Sequence, residues 1–270
     1  MAIKDVLVYV DNDKACGNRI LTAANLCNHF GAHLAGLYVM RNLFVPNFPN
    51  EYVSAAVYNI IDEQSVEQRD SAKIIFTKNS LAADSAGEFR AVEGHVTNTL
   101  SVQSRYVDLL LVPRKQEDES NLNIQYQLGS ILLNSACSVL VLPDSKPVTL
   151  PPQRVIVGWD GSRECAAALR VALPMLAQVE KIDVVSVSSS DADAIAITTH
   201  INRHGINAET HLVGSSKKGA GLALLEKATE LRSQLLVMGA YGHSRFHELV
   251  LGGATKYILE HAQLPVLFMH

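Results

Sequence analysis

Several residue types are scarce in this sequence of 270 residues, and each scarcity excludes a class of protein. There are only four cysteines, Cys16, Cys27, Cys137 and Cys165, and none forms a Cys-x-x-Cys pair. A disulfide framework or a thiolate zinc site is therefore not expected, and a reducing, cytoplasmic location is predicted. Uninterrupted apolar runs of the roughly 18 residues that a membrane helix needs are also missing, as is a signal-peptide pattern. We therefore expect no stable membrane insertion.

A large excess of charge of one sign is also lacking. Lysine and arginine number 23 and aspartate and glutamate 27, which gives a formal charge of −4. A protein that coats nucleic acid needs a basic face, so no nucleic-acid partner is expected. With 48% apolar and 19% charged residues, the composition is typical of a folded globular chain. At about 150 residues per domain, the length predicts roughly two domains.

What the sequence does contain is an internal repeat. The apolar runs Val6 to Asp11 and Val155 to Asp160 are typical of strands buried on both faces, and each precedes a turn and a helical pattern. Each copy continues with a second buried run, a Leu-Gly helix start and a short final strand. These later landmarks are Asp108 to Val112, Leu128 to Ser130 and Ser138 to Pro143, then Gln234 to Met238, Leu251 to Gly253 and Pro265 to Met269. Their shared order indicates one domain present twice.

Strands that alternate with helices predict an α/β fold with a parallel sheet covered on both faces. We therefore predict two tandem five-stranded parallel-sheet domains of Rossmann-like type, at residues 1–143 and 154–270, with a proline-rich linker at 144–153. The short final strands are candidate edges, so the halves are expected to pair through them as a pseudo-dimer. The first copy is longer by 26 residues, mostly between Arg41 and Phe89, where a long helix is predicted from about Glu51 to Ser80.

Glycines follow the fourth strand of the second copy. Gly239-Ala240-Tyr241-Gly242 is followed, after nine residues, by Gly252-Gly253-Ala254-Thr255 at a predicted helix start. Glycine lets backbone N–H groups approach a phosphate, and a helix N-terminus adds unpaired donors and positive potential. In parallel α/β folds ligands bind at this edge of the sheet. The pattern thus predicts a phosphate cradle, with a tight turn and a helix entry as the alternative.

The segment Asp160-Gly161-Ser162 follows the first strand of the same copy. Either Asp160 or Ser162 suits a helix N-cap, whatever the function. The functional interpretation adds that this segment lines a nucleoside pocket, with Trp159 packing nearby.

These two motifs resemble the universal stress protein family in its tandem form, strongly from Arg154 to His270 and more weakly from Met1 to Asp144. The resemblance implies an adenine-nucleotide α-hydrolase-like fold for each domain. It also implies ATP, alone or with Mg²⁺, in the C-terminal domain, with Asp160 and Val187 near the base or ribose. The residues that it places around the nucleotide are Asp160, Gly161, Ser162, Val187, Gly239, Gly242, His243, Ser244, Gly252, Gly253, Ala254 and Thr255.

The sequence departs from the family pattern at two places. Gly253 stands where the family has a hydroxyl residue, which Thr255 replaces only if it turns toward the ligand. His243, Ser244 and Arg245 either add donors at the phosphate end or are solvated loop residues. In the first copy Pro113 replaces the first glycine and removes a backbone donor, so that copy is predicted not to bind ATP in the family's manner.

No metal site and no catalytic residues are assigned. His200 and His204 lie one helical turn apart and His211 follows on the next strand, but surface histidines are the better interpretation because no carboxylate or thiolate clearly joins them. The segment from Gly214 to Ala220 lacks the Gly-Lys-Ser/Thr ending of a P-loop.

Three classes of function are weighed. A nucleotide-binding stress or signalling protein is favoured. The alternatives are a slow ATPase, for which Asp160 is the one candidate metal carboxylate, and an interaction module that binds another ligand or none. An adenine nucleotide is the expected partner, and a homodimer remains open.

Overall fold

A computed structural model describes residues 3–40, 55–114, 127–144, 148–149, 151–187, 191–214, 219–240 and 252–270, with side chains of the second range described from residue 62. The strands are β1 Asp5–Val10, β2 His33–Met40, β3 Glu88–Glu93, β4 Leu109–Pro113, β5 Ser138–Leu142, β6 Arg154–Trp159, β7 Lys181–Ser186, β8 Ala208–Leu212, β9 Leu235–Gly239 and β10 Val266–Met269. The helices are α1 Cys16–Phe30, α2 Ala55–Ala82, α3 Val96–Gln103, α4 Leu128–Asn134, α5 Arg163–Leu176, α6 Asp191–Arg203, α7 Ala220–Glu230 and α8 Gly253–His261.

The ten strands form a single sheet in the order β3-β2-β1-β4-β5-β10-β9-β6-β7-β8. Neighbouring strands are parallel, except that β5 and β10 pair antiparallel with Leu140 opposite Leu267. Each half therefore has the same strand order, and the halves join through their final strands. The predicted α/β fold and the predicted pseudo-dimer are confirmed.

Both faces of the sheet carry a hydrophobic core. The helices α1, α2, α5 and α6 pack on one face, and α3, α4, α7 and α8 on the other. The central strands β4 and β5 are buried along their whole length because parallel strands covered on both faces need apolar side chains in both directions. Among the described helices, none is long and apolar enough to cross a membrane.

The additional length of the first copy includes the long helix α2, as predicted. Phe76 of α2 is 1% exposed and packs directly over the sheet. An ideal Cβ at Gly36 of β2 would lie 2.4 Å from its ring, and one at Gly87 would lie 2.6 Å away. Both positions require glycine because the aromatic ring occupies the space of a side chain.

Arg114 connects the two halves at the end of β4. Its Nη1 donates a hydrogen bond of 2.7 Å to the carbonyl of Glu260, in the last turn of α8, and its Nη2 lies 3.5 Å from Asp144 Oδ2. A cation at a helix C-terminus satisfies unpaired carbonyls and complements the helix dipole. The residue after Pro113 therefore supports the interface between the halves.

A charged network holds the outer strands of the second half. Asp183 of β7 is fully buried and accepts hydrogen bonds from Arg154 Nε at 2.6 Å and Nη2 at 3.1 Å. His211 Nε2 lies 2.8 Å from the same carboxylate, and Lys181 pairs with Glu209 on β8. Burial alone would raise the pKa of Asp183, but the hydrogen bonds from Arg154 and His211 outweigh it and lower that pKa.

Asp183→Asn is expected to lower the free energy of unfolding at pH 7 by about 3 kcal/mol, because it leaves Arg154 without a buried anionic partner. Since the pKa of Asp183 is lowered in the folded state, its contribution is present above about pH 4 and is lost as the pH falls further. The test is urea unfolding at pH 7 and pH 3. Glu209→Gln, at an exposed carboxylate, is the control and should lower the free energy of unfolding much less. Equal losses in the two variants at pH 7 would contradict this account.

Candidate functional site

The candidate site lies at the carboxyl edge of the second half of the sheet. There β6 lies between β9 and β7, so the chain leaves this edge in opposite directions on either side of β6. Such a reversal of strand order opens a crevice in parallel α/β sheets. The predicted site residues Asp160, Val187 and Gly239 lie at the ends of these three strands.

The loop after β6 forms a capped helix start. Asp160 Oδ1 accepts a hydrogen bond of 2.9 Å from the backbone N–H of Ser162. Gly161 has a φ of 75°, which favours glycine. Ser162 is the N-cap of α5, and its Oγ accepts a hydrogen bond of 3.2 Å from the N–H of Cys165. Of the two capping residues considered from the sequence, Ser162 is therefore the N-cap, while Asp160 closes the turn.

Cys165 joins three elements beneath this loop. Its Sγ donates to the carbonyl of Gly158 at 3.2 Å and accepts from the N–H of Gly239 at 3.4 Å, so it links β6, α5 and β9. Burial raises the pKa of the Cys165 thiol to about 12, which keeps the proton that the first bond needs. This role of Cys165 was not predictable from the sequence, because Gly239 is distant from it along the chain.

Gly239 is explained by packing. An ideal Cβ at this position would lie 2.5 Å from the backbone N of Cys165 and 2.7 Å from the backbone C of Glu164. Only glycine allows β9 to end this close to the start of α5. The alternative proposed for the glycines, a structural role, thus accounts for Gly239.

Gly252 and Gly253 differ from Gly239. Gly252 has a φ of −55° and a ψ of 143°, which any residue adopts. At neither glycine does an ideal Cβ meet a described atom within 4 Å. Glycine is less favourable than alanine in a helix, by up to about 1 kcal/mol, yet Gly253 opens α8. Packing within the described residues therefore does not require glycine at either position, and the space beside each is open there.

The remaining predicted residues have different environments. Ala254 and Val187 are half-buried, whereas Thr255 is 4% exposed. The side chain of Thr255 is therefore buried in this conformation. Gly242, His243 and Ser244 lie outside the described residues.

The histidine candidates are separate from this site. His200 and His204 are exposed, with ring centroids 4.8 Å apart. His211 instead belongs to the network around Asp183. The ligand atoms of Asp183, Glu209 and His211 all lie within 4.8 Å of one another. However, Arg154 and Lys181 already pair with the two carboxylates, which disfavours a metal ion there.

Comparison with known proteins finds similarity in sequence over part of the chain. Residues 190–270 match the model of the universal stress protein family. The curated Universal stress protein Slr1230 from Synechocystis sp. (strain ATCC 27184 / PCC 6803 / Kazusa) is 28% identical over 137 residues. That match covers 45% of this chain and 46% of the relative, so the aligned region spans about half the length of the curated protein.

Two solved structures are similar over nearly the whole chain. A universal stress protein from Archaeoglobus fulgidus DSM 4304 has a TM-score of 0.74 at 16% identity and covers 98% of this chain and 95% of its own. A putative universal stress protein from Pseudomonas aeruginosa UCBPP-PA14 has a TM-score of 0.63 at 14% identity. The match covers 99% of this chain and 93% of that protein. At these identities the likeness shows the fold, a tandem α/β architecture. In sequence, residues 190–270 are similar to the universal stress protein family, and in fold the whole chain is similar to these two solved structures.

Gly239→Ala and Gly253→Ala should affect stability differently. The first puts a methyl group against the backbone of α5 and is expected to lower the free energy of unfolding by about 2 kcal/mol. The second meets no described atom and is expected to leave stability unchanged or raise it by up to about 1 kcal/mol. Thermal and urea unfolding measure both. A destabilisation by Gly253→Ala equal to that by Gly239→Ala would show that Gly253, too, is held by packing.

Proposed function

We propose that this chain is a nucleotide-binding stress-response or signalling protein that binds ATP, alone or with Mg²⁺, in its C-terminal domain. The observation that carries this proposal is the pair Gly252 and Gly253. The described fold requires glycine at neither position, yet a Cβ at either would occupy the space that a phosphate needs to reach the backbone. The proposal keeps domains at 1–143 and 154–270, with the linker at 144–153. It also includes a cytoplasmic location, supported by four cysteines that are all free thiols.

The two helix starts at this edge differ in what they can offer an anion. The N-terminus of α5 is capped from within by Ser162. At α8 the N-cap is Gly252, which makes no side-chain hydrogen bond. The first N–H groups of a helix need partners from outside the helix, and an anion is a suitable one. We therefore assign the phosphates to the start of α8, with Gly252, Gly253 and Ala254 as backbone donors.

The nucleoside end is assigned to the strand ends beside Asp160. Asp160 is half-buried, so part of its surface faces solvent, and its Oδ1 already orders the loop through Ser162. Val187 is half-buried at the end of β7 and supplies an apolar surface for a base. In this assignment Asp160 accepts hydrogen bonds from the nucleoside. Gly161 has no side chain, so the nucleoside can approach the backbone of the loop.

Trp159 provides an internal reporter of this site. It is the only tryptophan of the chain, it immediately precedes Asp160, and it is 9% exposed. Its indole Nε1 is buried, with no hydrogen-bond partner in the described part of the chain. A ligand that reorders the adjacent loop should therefore change the tryptophan fluorescence.

The test is calorimetric titration with Mg-ATP, together with tryptophan fluorescence. Saturable binding is expected in the wild type. Gly252→Val fills the open space at the start of α8 and should weaken binding at least about tenfold, a loss of about 1.4 kcal/mol. The control is Gly129→Val, at the second residue of α4 in the first half, which should change the affinity by less than about twofold. The proposal fails if the folded wild type binds no adenine nucleotide, or if Gly252→Val binds as tightly as the wild type.

A further inference from the structure

The first half contains a strand-to-helix unit similar to that of the candidate site, but the two units differ in charge at several positions. Asp11 follows β1 as Asp160 follows β6, 149 positions apart, and the same offset pairs Cys16 with Cys165. The Cys16 thiol also accepts a backbone hydrogen bond, but from a different partner, the N–H of Asp11 at 3.5 Å. At this offset, however, Arg19 stands where the second half has Ala168.

Arg19 reaches the aspartate of its own half. Its Nη2 lies 2.7 Å from Asp11 Oδ1, and its Nε donates a hydrogen bond of 2.8 Å to the carbonyl of Tyr9. The guanidinium carbon is 5.8 Å from the centre of the Tyr9 ring. The side chains of Arg19 and Asp11 are only 3% and 8% exposed. The ion pair is therefore removed from water, where the attraction between opposite charges is less screened.

A small cavity adjoins Arg19. The cavity bounded by Arg19, Pro113 and Asp144 has a volume of about 10 Å³, which is the space of about one water molecule. In the second half the corresponding positions are different. Ala168 is fully buried and has no charge, and Asp160 is half-buried rather than covered.

We propose that Arg19 closes the first half to nucleotide by serving as an internal ligand of Asp11, so that the chain binds one nucleotide and not two. This inference rests on the proposed function, since it takes Asp160 as a nucleoside contact. A nucleoside entering the first half would have to offer neutral donors to a carboxylate that already holds a buried cation. Arg19 is thus a specificity-determining residue, and its action is separate from the loss of the first glycine at Pro113.

The most direct test transfers the arginine to the second half. Ala168→Arg should pair with Asp160 as Arg19 pairs with Asp11, and ATP binding should weaken at least about tenfold relative to Ala168→Met, a neutral side chain of similar length. Calorimetric titration gives both affinities, and circular dichroism with thermal unfolding verifies that the variants are folded. Equal affinities of the folded Arg and Met variants would overturn the inference, because charge would then make no difference.

A second variant keeps the inference testable if Ala168→Arg does not fold. Arg19→Ala should raise the number of nucleotides bound per chain, counted by equilibrium dialysis with labelled ATP, from one to two. The second nucleotide should bind more weakly than the first, because β4 ends in Pro113 instead of a glycine. A folded Arg19→Ala chain that still binds one nucleotide would contradict the role of Arg19. Wild-type protein that binds two would overturn this inference alone, whereas wild-type protein that binds none would refute the proposed function itself.

Discussion

The antiparallel pairing of β5 with β10 is the interaction on which the rest of the structure depends. Each half alone would expose its final strand as an open edge, with a row of unpaired backbone groups. Pairing Leu140 opposite Leu267 satisfies both edges and merges two five-stranded sheets into one sheet of ten strands. Arg114 reinforces the joint by bonding the carbonyl end of α8 from the other half. The two cores are therefore continuous, although each half keeps its own strand order.

This pairing also separates the carboxyl edges of the two halves of the sheet. Because the central pair is antiparallel, the carboxyl ends of β1 and β6 point to opposite edges of the sheet. The two copies of the strand-to-helix unit are thus distant from each other, and each can change without disturbing the other. The first half has an internal ion pair at Asp11, whereas Asp160 of the second half is half-buried.

Much of the fold was predictable from the sequence because buried parallel strands leave a strong pattern. The runs after Val6 and Val155, the long helix α2 and the pairing of the final strands were all recognised, with element boundaries differing by a few residues. The packing role of Gly239 and the bonds of Cys165 were not predictable, since both depend on contacts between segments about 75 residues apart. Arg19 left a readable signal, because the offset of 149 aligns it with Ala168. Its distance to Asp11 required the structure.

Hydrogen–deuterium exchange with and without Mg-ATP tests the central claim most directly, because it resolves the two halves in one experiment. The account predicts slower exchange on nucleotide binding in the backbone amides of residues 160–165 and 252–256. The corresponding segment of the first half, residues 11–19, should be unchanged. Protection at residues 11–19, or its absence at 252–256 in nucleotide-saturated protein, would contradict it.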